Sequence, residues 1–160
     1  MKKRILSVCC IALLVFSMPF FSAEQVKAAI DKPILDGSAL TYETESIGYD
    51  TKITRGVDLL AGYSKIVRLG PGKIYAGGTT IAAHTVEKVK ISVIVERAQE
   101  GDTKWSFYDS WQKENLNTDR AGANRTLEVE GGFYYRARCI HSANNDVSSS
   151  FTDGVYVEEP

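Results

Sequence analysis

The stretch VEKVKISVIVERA, residues 86–98, decides the fold class because its apolar residues recur at every second position. Four of them share one face of an extended chain: Val89, Ile91, Val93 and Val95. Lysine, serine and glutamate side chains take the other face. Alternation with period two among β-branched residues is typical of a half-buried strand. The stretch therefore predicts a β-strand whose valine face points into a core.

Similar short runs occur on both sides of this stretch, and Gly70-Pro71-Gly72 is a strong turn signal between two of them. The sequence predicts strands near residues 64–69, 73–84, 87–98, 104–111, 125–130, 133–142 and 149–157. No run has a convincing helical stripe. Seven short strands with turns between them predict an all-β fold, an antiparallel sandwich of the immunoglobulin or fibronectin type III kind. A small β-barrel is the alternative.

Residues 1–28 have the layout of a secretory signal peptide. MKKR gives a positive start, an apolar run begins at Ile5, and Val26 and Ala28 supply the small residues that precede a cut after Ala28. The apolar run is too short to favour a membrane span, although an uncleaved N-terminal anchor is the alternative. We expect an extracellular mature chain that has no membrane span.

The remaining 132 residues are enough for one domain with a hydrophobic core. Removal of residues 1–28 leaves 15 basic and 19 acidic residues, a net charge of −4. This balance gives no electrostatic reason to expect nucleic acid as a partner. Residues 29–55 are polar and lack sustained periodicity, so they predict a flexible N-terminal arm. The β-sandwich domain is then expected over residues 56–160.

Cys139 is the single cysteine left after cleavage, and alternation places it on the same face as Tyr135 and Ala137. A buried, inert thiol is the expected state. His141 lies two residues further along the strand, about 6.5 Å away, which is too far for a thiolate–imidazole pair. The chain lacks the common zinc, redox, hydrolase and nucleotide motifs. We therefore expect no catalytic residue, cofactor or metal.

Two groups of residues form a possible ligand surface. Trp105, Tyr108 and Trp111 lie on one aromatic stretch, where Trp105, Phe107 and Trp111 would share a face and Asp109 indicates a strand end or bulge. Flat aromatic rings suit sugars and protein interfaces, although a core role is the simpler interpretation.

Arg136 and Arg138 alternate on the face opposite Cys139. There they could bind an anion. The simpler interpretation is pairing across strands with acids such as Glu96, Glu128 or Glu130.

Three segments, VERAQEGDTKWSFYDSW, GGFYYRARCIHS and SSFTDGVYV, resemble a family of small secreted β-rich proteins of Gram-positive bacteria, a domain of unknown function. The resemblance covers residues 55–157. Its most specific parts are Glu96-Arg97, Trp105, Trp111, Tyr134-Tyr135-Arg136, His141-Ser142 and Thr152-Asp153-Gly154. The resemblance implies secretion and a compact β-rich domain, and it implies no activity, substrate or cofactor.

These observations together predict a secreted, non-enzymatic binding or cell-surface interaction module. Its expected partner is a cell-wall glycan or another extracellular protein. A secreted bacteriocin-like antibacterial protein is the alternative function, and an extracellular enzyme comes third.

Overall fold

One long strand, β5, organises the sheet. In this computed structural model, residues 32–50 and 56–160 are described, and all of them belong to one compact unit, Asp31–Pro160. The described strands are β1 (Ile34–Leu35), β2 (Ser38–Thr41), β3 (Glu45–Tyr49), β4 (Leu59–Gly70), β5 (Lys73–Ala98), β6 (Ser106–Glu128), β7 (Phe133–Ala143), β8 (Asp146–Phe151) and β9 (Gly154–Val157). The predicted signal peptide and its cleavage site after Ala28 lie outside the described residues.

All nine strands belong to one mixed sheet in the order β1-β2-β9-β7-β5-β4-β3, with β6 also paired to β5 and β8 to β7. The β2–β9 pair is parallel, and every other pair is antiparallel. The all-β prediction is confirmed. The two-sheet sandwich is not, because the strands join into a single sheet that curls into a half-barrel.

The curl comes from two strands that are longer than the sequence predicts. The predicted strands at 73–84 and 87–98 are one strand, β5, and those at 104–111 and 125–130 both lie within β6. The β5–β6 register shifts between Ile81 and Val86. An irregularity of this kind bends a strand pair without ending it, so both strands pass around a corner.

The concave face of the sheet holds the main hydrophobic core. Val89, Ile91, Val93 and Val95 are fully buried there, as their alternation predicts. One edge of β5 pairs first with β4 and then with β7, so the two halves of β5 carry separate parts of the sheet. The bend brings the apolar residues of both parts into one core.

Residues 34–49 differ from the flexible arm predicted for residues 29–55, because they form β1, β2 and β3. β1 and β2 are joined by Asp36-Gly37, and both residues have positive φ, at 47° and 78°. A two-residue Asp-Gly loop of this conformation matches the twist of a hairpin. The hairpin contributes Leu35 and Leu40 to a second buried cluster with Ala98 and Tyr134.

No helix in the described part of the chain is long and apolar enough to cross a membrane.

Candidate functional site

The five residues that the sequence singles out as a ligand surface do not lie together. The register of β5 and β6 shifts by one residue near Asp109. Val95 lies opposite Asp109, but the next residue on β5, Glu96, lies opposite Phe107. This bulge confirms the irregularity predicted at Asp109. Side chains on the two sides of the bulge point to different faces of the sheet. Trp111 lies in the main core and Trp105 packs against the second buried cluster, so the prediction that Trp105, Phe107 and Trp111 share one face is wrong. Phe107 is 67% exposed, whereas Trp111 is buried.

Tyr108 and Trp111 pack with the main core. The Tyr108 ring lies edge-on to Tyr135, with centroids 5.3 Å apart, and its hydroxyl donates to the Glu128 carbonyl. The Trp111 indole Nε1 is buried and has no hydrogen-bond partner among the described residues. The Arg125 guanidinium lies 5.0 Å from the centre of the Trp111 ring. These contacts give both aromatic residues a structural role.

Trp105 and Arg136 lie together under the β1–β2 hairpin. The Arg136 guanidinium is 4.6 Å from the centre of the Trp105 ring, and the Trp105 Nε1 donates to the Leu35 carbonyl at 2.9 Å. Arg136 is 2% exposed. Its Nε donates to Glu96 at 2.8 Å and its Nη2 to Asp36 at 2.9 Å. The cross-strand pair with Glu96 is confirmed, but the face of Arg136 is covered, so the guanidinium is not open to an anion from solvent.

Arg136 is buried because the hairpin covers the face on which it lies. Ser38 of that hairpin accepts a third hydrogen bond from the guanidinium, at 3.0 Å. Two carboxylates, a hydroxyl and the Asp36 carbonyl therefore satisfy the buried cation, which leaves no free donor pair aimed at solvent. Arg138, two residues away, is half-buried and pairs in register with Ile94 and Phe151.

Cys139 and His141 are fully buried on the core side of β7. Burial raises the pKa of the Cys139 thiol to about 12, so the thiol stays protonated, in line with the inert state predicted for it. Burial also lowers the pKa of His141 to about 4. His141 bonds to Thr80 at 2.9 Å through Nδ1 and to Ser150 at 2.8 Å through Nε2.

The hydrogen-bond network fixes the tautomer of this neutral imidazole. Thr80 donates its hydroxyl proton to the Lys90 carbonyl, so it accepts a bond from Nδ1–H of His141. Nε2 then accepts the Ser150 proton. A serine that donates to an imidazole is the arrangement of an activated nucleophile. All three side chains are at most 1% exposed, so in this structure the group is closed to a substrate.

The surface with the strongest binding chemistry lies on the convex side of β3, β4 and β5, and we call it the tyrosine face. It consists of Tyr49, Tyr63, Tyr75, Glu45 and Lys65. Alternation explains it, because these residues lie between buried positions such as Ser64, Ile66 and Ile74. The register pairs Tyr49 with Tyr63, Ile47 with Lys65, and Val67 with both Glu45 and Tyr75. Five binding-competent side chains therefore share one patch.

Polar contacts hold the tyrosine face in place. The rings of Tyr49 and Tyr63 have centroids 6.4 Å apart, and Thr79 bonds to the Tyr63 hydroxyl at 3.0 Å. Lys65 Nζ lies 2.9 Å from a Glu45 carboxylate oxygen. This hydrogen bond raises the pKa of Lys65, with smaller contributions from the Tyr75 and Tyr63 phenols. The patch therefore offers aromatic rings beside a fixed cation and anion.

Two glycines lie beside the tyrosine face toward β6, and they differ in the space they leave. Gly77 of β5 pairs with Lys65 on one side and with Asn124 of β6 on the other. Gly122 pairs with Thr79, and a Cβ built there would meet no atom closer than 3.4 Å. Asn124 fills the space above Gly77, where an added Cβ would lie 2.5 Å from the Asn124 Cβ, so of these two glycines Gly122 alone leaves the backbone open to a ligand.

Sequence reasoning missed this surface although its signal was present. In GYSKIVRL, residues 62–69, Tyr63, Lys65 and Val67 alternate with Ser64 and Ile66. The run predicts a strand, and the same alternation places Tyr63 and Lys65 together on its outward face. Tyr49 could not be assigned to the same surface because residues 29–55 were predicted to be a flexible arm.

Comparison of the chain with protein-family models and with curated proteins gave no match. The resemblance to a secreted Gram-positive family therefore stays a prediction. Among the described residues, no group of three or more His, Cys, Asp or Glu side chains could hold a metal ion.

Proposed function

We propose that the protein is a secreted, non-enzymatic binding module whose ligand is a cell-wall glycan and whose binding surface is the tyrosine face. The observation that carries this proposal is the Tyr49–Tyr63 pair on the convex sheet surface beside the Lys65–Glu45 ion pair. Aromatic rings pack against the apolar faces of sugars, and the charged pair can hydrogen-bond to sugar hydroxyls. Secretion rests on the predicted signal peptide.

The exposed fraction of the side chains favours the tyrosine face over Trp111 and Arg136, two residues of the ligand surface predicted from the sequence. Tyr49 is 68% exposed, so its ring is available to a ligand without any rearrangement. Trp111 is buried in the main core, and Arg136 is buried between two ion pairs. A ligand at those positions would first have to displace part of the core or the β1–β2 hairpin.

Co-sedimentation with isolated cell-wall sacculi tests the proposal. The assay uses residues 29–160, which contain every described strand and both hydrophobic clusters. Tyr49→Ala should weaken binding by about tenfold or more, because it removes an exposed aromatic contact. Tyr42→Ala is the matched control, since Tyr42 is 64% exposed but lies on another surface beside Tyr134 and Tyr156.

Three outcomes separate the hypotheses. Loss of binding in Tyr49→Ala with binding retained in Tyr42→Ala supports the tyrosine face. Equal loss in both variants contradicts the location of the site. No sedimentation of the wild-type chain contradicts the glycan ligand, and growth inhibition of neighbouring strains would then test the antibacterial alternative.

A further inference from the structure

The longest strand edge in the described part of the chain is left open. β6 runs for 23 residues, and among the described strands it pairs only with β5. In an antiparallel pair, alternate residues direct their N–H and C=O groups toward the partner, and the residues between them direct theirs away. The far edge of β6 therefore presents a long row of backbone donors and acceptors, which is a template for another strand.

Charged side chains on an edge strand ordinarily discourage pairing with other chains. On β6, four of the seven charged side chains are arranged symmetrically about Asn117. Glu114 and Arg120 lie three residues on either side of Asn117, and Asp109 and Arg125 lie eight residues on either side. An antiparallel copy of the same strand, related by a two-fold axis at Asn117, would place Glu114 and Asp109 each opposite an arginine.

The side chains in each of these pairs also lie on matching faces. Glu114 and Arg120 are paired on β5 with Lys90 and Ile81, which point away from the core. Asp109 and Arg125 pair with Val95 and Ala76, which are buried in the core. Direct partners in a sheet point to the same side, so the two-fold arrangement brings four opposite-charge pairs into contact.

Other registers between the two β6 strands give fewer opposite-charge pairs. With the axis moved to Leu116, the single opposite-charge pair is Lys113 with Asp119, and with the axis at Thr118 there is none. The axis at Asn117 also coincides with the corner of the sheet, since Asn117 has a φ of 51° and lies beside the register shift. The bends of the two β6 strands would then lie side by side. The part of β6 before the bend in one copy could pair with the part after the bend in the other copy.

We propose that the protein forms a two-fold symmetric dimer in which β6 of one copy pairs antiparallel with β6 of a second copy about Asn117. The occupant of the open edge is a second copy because the charge pattern is complementary to itself. This proposal does not depend on the ligand or on the tyrosine face.

Sedimentation velocity over a range of concentrations tests the dimer. Arg120→Glu should raise the dimer dissociation constant by about tenfold or more, because symmetry replaces two attractive contacts with two repulsive ones. The charge swap Glu114→Arg with Arg120→Glu should restore the dimer, since each pair is re-formed with its signs exchanged. Lys104→Glu is the matched control, because it makes the same charge change outside β6.

Circular dichroism of each variant confirms that the sheet remains folded, and Arg120 is exposed, so folding should not depend on it. A wild-type chain that stays monomeric at every concentration overturns the proposal. A dimer that Arg120→Glu does not weaken, or that the charge swap does not restore, overturns the register about Asn117.

Discussion

Arg136 and His141 lie five residues apart on β7 and meet burial in opposite ways. Arg136 lies under the β1–β2 hairpin, where Glu96 and Asp36 bind its guanidinium at hydrogen-bond distance. His141 has no carboxylate within hydrogen-bond distance, and two hydroxyls bind it in its neutral form. A buried group retains its charge only where a partner offsets the loss of water. Arg136 therefore stabilises the fold through ion pairs, whereas His141 stabilises it through hydrogen bonds made by its neutral form.

His141 should make the stability of the protein depend on pH in the acidic range. Its pKa is about 4 in the folded state, against an ordinary value of 6.5. As pH falls from about 6.5 to 4, the unfolded chain binds a proton that the folded chain does not, so the free energy of unfolding decreases. The decrease from this group reaches about 3 kcal/mol near pH 4. Urea unfolding across this range measures it.

Two variants separate the His141 effect from other acidic groups. His141→Gln should remove this part of the pH dependence while lowering stability at neutral pH. Ser150→Ala should lower stability at every pH and keep the dependence, because the imidazole stays buried. Identical pH dependence in the wild type and His141→Gln would contradict the assignment.

At the scale of the elements, β4 and β7 meet through a glycine. A Cβ built at Gly62 of β4 would lie 2.3 Å from Cδ2 of the His141 imidazole. The buried ring therefore occupies the space that a side chain on β4 would need. This close approach lets the two parts of the curled sheet share the Thr80–His141–Ser150 network.

Gly62→Ala should destabilise the protein by about 1–3 kcal/mol, because the added methyl group overpacks the imidazole. Gly122→Ala is the control, since a Cβ at that position on β6 meets nothing closer than 3.4 Å. Neither glycine has a positive φ, so backbone strain does not separate them. Chemical denaturation of both variants gives the comparison, and equal losses would contradict the packing explanation.

The sequence predicted most strand positions correctly because the apolar alternation in β5 and β7 follows the pleat directly. The sequence pattern could not show that β5 continues past residue 84. At the corner the apolar residues of β5 change from even to odd positions, although β5 stays paired with β6 on both sides of the corner. It also missed β1 and β2, although Asp36-Gly37 is a hairpin signal. Their strands are only two and four residues long, and their stability comes from contacts with β7 and β9.

On the scale of the whole molecule, β5 pairs with β4, β6 and β7, and its inward face forms the centre of the main core. Cys139 lies opposite Val93 in the β5–β7 pair, so its thiol is at this centre. A Cβ on Gly78 would lie 2.8 Å from the Cys139 sulfur, which shows how tightly the site is filled.

The Cys139 thiol should therefore react with a thiol reagent only when the sheet opens globally. Its pKa of about 12 and its complete burial both prevent reaction in the folded state. Labelling in increasing urea should follow the global unfolding transition measured by circular dichroism. Rapid labelling in the absence of denaturant would show that β7 opens locally.

The parallel β2–β9 pair joins opposite ends of the chain. The Ser38 hydroxyl donates to the Thr152 carbonyl across 114 residues of sequence. Such distant contacts form late, because a long loop must close before they can stabilise anything. During synthesis, the hairpin that covers Arg136 has no complete docking site until β9 has left the ribosome. The last strand to be synthesised therefore completes the cover over a side chain, Arg136, that is buried on a strand made before it.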